Sequence, residues 1–330
     1  MRLQTLICLL AFGVGAAEPS EQAIRIAIEK SIPLLEAGTK ESIEKRARCF
    51  TCHNQAFPII ALSTARDRGF KIDEANFARQ VEFTAKFLKK NKSRYRDGRG
   101  QGGQVDTATW AIRTMEHGNW NADETTDAVM EYLIKYQRSL EHWKAPSKRP
   151  PTEQSEFAAT RGAIRALQIY GKDEQSKRIN KRIDQARDWL FENPAGDTED
   201  RTSRLRALSL LGEKKEAQNE VKVLLSEQRQ DGGWAQLPKM KSDAYATATT
   251  LAALHQAGGI TTTNPAYQRG VQFLLDTQKE DGSWLVVSRS KPFQAYYESG
   301  YPHGTNQFIS ISAASWATTA LALTLPISGD

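Results

Sequence analysis

Long apolar runs are missing from this sequence. The one notable run, Leu6 to Val14, falls well short of the roughly 20 residues that a membrane span needs, and no other stretch approaches it. No transmembrane segment is therefore expected once that run is removed. Alternating β-branched segments bounded by turns, the mark of strands, are nearly absent, which points to an all-helical chain. A dominant charge is also lacking: 45 Lys and Arg are scattered among 39 Asp and Glu, and nothing demands nucleic acid as a partner. Cysteine is scarce, with three in 330 residues, and His117, His142, His255 and His303 lie too far apart, with no paired spacing, to suggest zinc.

What is present begins with an export signal. Arg2, the run Leu6 to Val14, the small residues Gly15-Ala16-Ala17 and then Glu18-Pro19 follow the order of a secretory signal peptide. Cleavage is expected after Ala16 or Ala17, giving residues 1–17 as signal and a periplasmic or extracellular product. Cys8 leaves with the signal, so the mature chain keeps only Cys49 and Cys52.

Two segments, Gln228-Arg229-Gln230-Asp231-Gly232-Gly233-Trp234 and Gln278-Lys279-Glu280-Asp281-Gly282-Ser283-Trp284, lie 50 residues apart. That period is one of a repeated supersecondary unit. Each follows an apolar helical stretch, Val223-Leu224-Leu225 and Phe273-Leu274-Leu275; the Asp-Gly pair ends the helix and the tryptophan packs back on it. Weaker copies at Leu34-Leu35, Phe87-Leu88, Tyr132-Leu133 and Trp189-Leu190 bring the count to six units. Two helix types alternate. Ile179, Ile183, Ala186 and Leu190 recur among charges between Asp173 and Phe191, as on an outer helix. Asp243 to Leu254 and Ser310 to Leu323 are rich in Ala, Thr and Ser with almost no charge, so they need cover on most sides and belong inside.

The run Arg269-Gly270-Val271-Gln272-Phe273-Leu274-Leu275-Asp276-Thr277-Gln278, closed by Gly282-Ser283-Trp284, resembles the Gln-Trp repeat of squalene cyclase and prenyltransferase-type barrels. The resemblance implies an (α/α)6 toroid of six inner and six outer helices around a cavity, filling residues 18–330 as one domain. Gly300-Tyr301-Pro302-His303-Gly304 with Ser310 to Leu323 is similar to a bacterial exported subgroup that also carries an N-terminal Cys-x-x-Cys-His. The family's cyclases protonate an alkene with an Asp-x-Asp-Asp run, yet no two aspartates are adjacent here. Its protein prenyltransferases hold zinc with Asp, Cys and His, and that site cannot be carried over because both mature cysteines lie at residues 49–53. Neither reaction is supported, and whether the chain is an enzyme stays open.

Cys49-Phe50-Thr51-Cys52-His53 carries the haem c attachment signature, in which two thiols bind the vinyl groups and the histidine ligates iron. Attachment occurs outside the cytoplasm, in agreement with the export signal. Met115, His117 and His142 are the nearest candidates for a second axial ligand. With haem, the chain would transfer electrons or sense redox state and would need a redox partner protein. A Cys49–Cys52 disulfide is the competing reading, with a non-redox cavity for a lipid, isoprenoid or peptide. A third is a cyclase-like isoprenoid enzyme acting through other residues.

Polar residues at inner-helix starts are the remaining candidates: Asp106, Asp243, Glu156 with Thr160 and Arg161, and His303. Asp106 and Asp243 also suit an N-cap, which satisfies free backbone N–H groups. His303 suits either a structural hydrogen bond or catalysis. The basic, glycine-rich segment 89–104 reads as a solvated loop able to hold an anion, and Ala145 to Thr152 as a connection between repeats.

Overall fold

The computed structural model describes residues 18–292 and 295–328. The expected signal peptide, with Cys8, lies outside the described residues. Six helices form an inner ring: α2 (Phe57–Arg66), α5 (Gln104–His117), α7 (Glu156–Tyr170), α9 (Thr198–Leu210), α11 (Ala244–Gln256) and α13 (Gln307–Ala322). Each packs on the next, and α13 closes on α2. Six more lie outside: α1 (Glu21–Lys45), α3 (Glu74–Lys90), α6 (Glu124–Lys135), α8 (Ser176–Glu192), α10 (Lys214–Ser226) and α12 (Pro265–Thr277). The short α4 (Lys92–Arg96) fills a connection. The architecture is the expected (α/α)6 toroid, and among the described residues no helix is long and apolar enough to cross a membrane.

The division between rings follows composition most plainly in α11 and α8, whereas inner helix α9 carries five charged residues. In α11 the described helix is buried from Ala244 to Leu254, which Ala and Thr allow because their small side chains let neighbours approach on every side. In α8 only one stripe, including Ile179, Ile183, Ala186 and Leu190, is buried, and the charged face meets water. All six aromatic-Leu or Leu-Leu pairs read from the sequence fall on outer helices.

Tryptophans lock the repeats. The indole N–H of Trp143 donates to the Leu133 carbonyl at 2.9 Å, that of Trp234 to Leu224 at 2.7 Å, and that of Trp284 to Leu274 at 2.8 Å. Each bond goes to a carbonyl in the last turn of an outer helix, where Leu224 and Leu274 accept it in addition to the backbone N–H of Glu227 and Gln278. Gln228 and Gln278 work beside them, donating to the Gly232 and Gly282 carbonyls and reaching on to the next outer helix, at Ala266 and Ala27. The last of these joins the sixth repeat to the first. Gly282 is required at that joint: its φ is +89°, and a Cβ would stand 2.5 Å from the Lys30 carbonyl oxygen. Trp284 is fully buried. Trp284→Ala is expected to destabilise the chain by about 3–5 kcal/mol, the range for removing a buried large aromatic, measured by urea unfolding.

Candidate functional site

The Cys-x-x-Cys-His cluster ends in a π-turn, Cys52–Ala56, that runs straight into inner helix α2. Pro58 has no N–H to give the Asn54 carbonyl, which leaves the preceding turn free to widen, and Phe57 N–H donates to the Cys52 carbonyl instead. The Gln55 side chain fastens the entrance, accepting from both the backbone N–H and the hydroxyl of Thr51 at 2.7 and 2.6 Å. Asn54 anchors the turn to α1 through the Gly38 carbonyl at 3.1 Å.

This turn forms part of the wall of a cavity of about 1060 Å³, counting its open mouth. Cys52, His53 and Phe57 line it from one side, Pro150 to Glu153 from another, and Tyr245, Phe308 and Ser312 from the inner ring. The proline-rich connection is thus more than a link between repeats. Arg149 pairs with Glu153, and the Ser147 hydroxyl donates to the Glu153 carboxylate at 3.2 Å. The sequence signal for this wall was composition alone, which does not say which way a connection folds.

Two titratable groups of the cavity wall, Cys52 and His53, are driven toward their neutral forms. Burial pushes the Cys52 thiol well up, and Glu153 and Asp106 add to this, so the group is a thiol and not a thiolate. Burial pushes His53 down to about 3, assisted by Arg149 and Arg46. Its Nε2 is sealed from solvent without a hydrogen-bond partner, and its ring lies 4.8 Å from that of Phe308. Cys49 is partly exposed, is not bonded to Cys52 and stands outside the cavity wall.

Asp106 departs from the capping role expected of it. Helix α5 starts two residues before it, after Gly103 in a left-handed conformation, so Asp106 falls inside the first turn with Oδ2 buried and unpartnered. Burial first, then Glu153, raises its carboxyl well above the usual range. Asp243 does cap α11: its Oδ1 accepts from Ala246 N–H at 2.9 Å, and Oδ2 from Gln236 at 3.1 Å. His303 shares a 2.8 Å hydrogen bond with the Ser283 hydroxyl and holds a positive φ of 87° in its turn, away from the cavity wall. Glu156 pairs with His142 at 2.9 Å and with Lys144.

None of the three candidates for a second iron ligand lines the cavity. Met115 is buried in the core, His142 stacks on Trp189 at 4.2 Å, and His117 Nδ1 bonds the Ser63 hydroxyl at 2.8 Å. The basic segment 89–104 is also engaged, with Lys92 and Arg96 on Glu124 and Arg99 on Asp97.

Below the cavity the toroid is blocked. Phe57 packs edge-on to Trp110 at 4.5 Å and lies 6.0 Å from Trp316. Beside them Tyr245 donates its hydroxyl to buried Glu199 at 2.9 Å and meets the Thr152 hydroxyl at 2.6 Å.

A closed ring of inner and outer helices with this cavity defines the α/α toroid class. Residues 157–324 match the family model of the squalene-hopene cyclase C-terminal domain, and the chain belongs to that family. Among solved structures it is similar to the type II terpene cyclase MstE from Scytonema. A single-substitution form of that cyclase in complex with merosterolic acid A, described as the product, is 15% identical, with TM-score 0.57, over 92% of this chain and 99% of that one. The apo form gives 16%, TM-score 0.56, 92% and 98%. A protein from Actinoplanes is 12% identical, with TM-score 0.52, over 91% and 99%. A search of curated proteins found no match.

Burial lowers His117 from 6.5 to about 4, so the folded state binds that proton less readily than the unfolded chain. Its contribution to stability is complete above pH 6.5 and is lost as pH falls from there through about 4. Urea unfolding between about pH 7.5 and about pH 4 is expected to show the wild type losing stability relative to His117→Phe as the pH drops.

Proposed function

We propose that this chain binds an apolar, isoprenoid-like molecule in the cavity beside the Cys52–His53 turn. The observation that carries this reading is the cavity itself: Phe57, Pro150, Pro151, Pro292, Phe308 and Ile309 supply an apolar lining, with Arg149, Glu153 and Tyr245 as a few polar points. A cyclase of the same fold holding merosterolic acid A supports it. Should the bound molecule also react, Asp106 is the carboxyl best kept protonated near the cavity, by burial and by Glu153. Tryptophan fluorescence of the chain titrated with farnesol and with squalene tests the reading. Saturable quenching is expected, weakened at least about tenfold, or about 1.4 kcal/mol, in Ser312→Trp, which fills the lining. Absence of binding, or equal binding by that variant, would sink it.

A second reading is favoured by the unpartnered Nε2 of His53 beside two free thiols. In this reading the chain is exported on its signal, thioether bonds from Cys49 and Cys52 hold haem c, and His53 ligates the iron. Attachment at both thiols requires Cys49, now outside the wall, to reach the same face as Cys52. Such a haem would supply one-electron chemistry and would call for a redox partner protein. Co-expression with a haem c maturation system, followed by a visible spectrum and intact mass, decides it. A coloured product heavier by one haem is expected on this reading. A colourless chain of unmodified mass, or one lighter by two hydrogens, rejects it.

A further inference from the structure

The opposite mouth of the toroid opens on a second cavity of about 780 Å³, including its rim. Its walls carry four arginines, Arg113, Arg161, Arg165 and Arg206, against one carboxylate, Glu116. Glu116 is engaged at the rim by Arg113, at 2.9 Å, and by Arg165. The other two arginines sit deeper and are differently placed. Arg161 lies over the Trp110 ring at 5.1 Å and Arg206 over that of Trp316 at 4.7 Å. An indole face holds a guanidinium flat while leaving its N–H edge free to donate. Arg161 makes no hydrogen bond or ion pair with another described residue, and Arg206 donates only to the Thr249 carbonyl, at 3.3 Å.

Two desolvated cations therefore face one space with their donors largely unused. Glu199 attracts both from behind, but its Oε2 already accepts from Tyr245 on the other side of the septum. Burial first, and then the charge of Arg161, pushes Arg206 down to about 9. Buried cations without a paired anion are costly, whereas a planar or tetrahedral oxyanion can take two parallel N–H bonds from a guanidinium fork.

We propose that this second mouth is an oxyanion site, in which a phosphate or carboxylate seats between Arg161 and Arg206 while Arg113 and Arg165 draw it in from the rim. The site is independent of what fills the first cavity, because Phe57, Trp110 and Trp316 stand between them. Its source is either a free anion or the head of an amphiphile, and the two differ in the tail.

Isothermal titration of the chain at low ionic strength tests this, with sodium phosphate in one arm and sodium decanoate in the other. Saturable binding of at least one is expected: tighter phosphate marks a free anion as the source, tighter decanoate an amphiphile head. Arg161→Gln and Arg206→Gln are each expected to weaken binding at least about tenfold, and Arg206→Lys to weaken it less. Decanoate binding is expected to survive Ser312→Trp, which fills the first cavity only. If the glutamine variants fail to fold, the thermal midpoint of the wild type with and without each anion decides, a rise being expected. The proposal is overturned if neither probe binds the wild type or raises its midpoint. Wild-type affinity in both folded glutamine variants, or loss of decanoate in Ser312→Trp alone, overturns it equally.

Discussion

The ring stays closed because an indole N–H reaches back to the carbonyl end of an outer helix. Trp143, Trp234 and Trp284 each make this bond to a residue ten positions earlier. Carbonyls in the last turn of a helix have lone pairs to spare, and tryptophan brings them one donor on a large apolar surface. The same side chain that ends one helix is therefore also packing material between the rings. Glutamine extends the bond sideways: Gln228 ties α10 to α12, and Gln278 ties α12 to α1. A chain of local caps becomes a circular structure through that last step.

Closure dictates where chemistry can occur. Six inner helices run the same way, so their starts and the connections feeding them gather at one mouth and their ends at the other. The π-turn at Cys52 feeds α2, and the connection at Arg149 to Glu153 precedes α7, so both meet above the same hole although about a hundred residues separate them. Burial there has one electrostatic consequence: Cys52, His53 and Asp106 are all driven toward their uncharged forms. On that side of the cavity the wall carries no charge of its own, while Arg149 and Glu153 on the other side pair with each other. The other mouth is built the opposite way, from guanidinium groups set over indole rings.

The ring was legible because its signals are local. Gln228 to Trp234 and Gln278 to Trp284 are short and well formed, and the uncharged Ala and Thr of α11 announce an interior helix without any neighbour being known. Asp243 is a cap by the same local logic. Asp106 misled for an equally local reason: Gly103 and the positive φ of Gln104 allow the helix to begin earlier, which moves the aspartate inside the first turn. The cavity walls were not legible, because they depend on which connections fold over the ring. Nothing in Pro150-Pro151-Thr152 says that Thr152 will meet Tyr245, 93 positions away. The arginine mouth was hidden too: Arg206 is one of three arginines along α9, and Arg161, though a candidate, carried no sign of its partner on another helix, so only the ring brings them together.

The septum of Phe57, Trp110 and Trp316 makes the protein two cups set base to base, and not a tube. A long chain cannot thread through from one side and leave by the other. Whatever enters a cup returns through the door it used, so the reach of a guest is set by the depth of half a barrel. Residence there depends on the rim and not on passage.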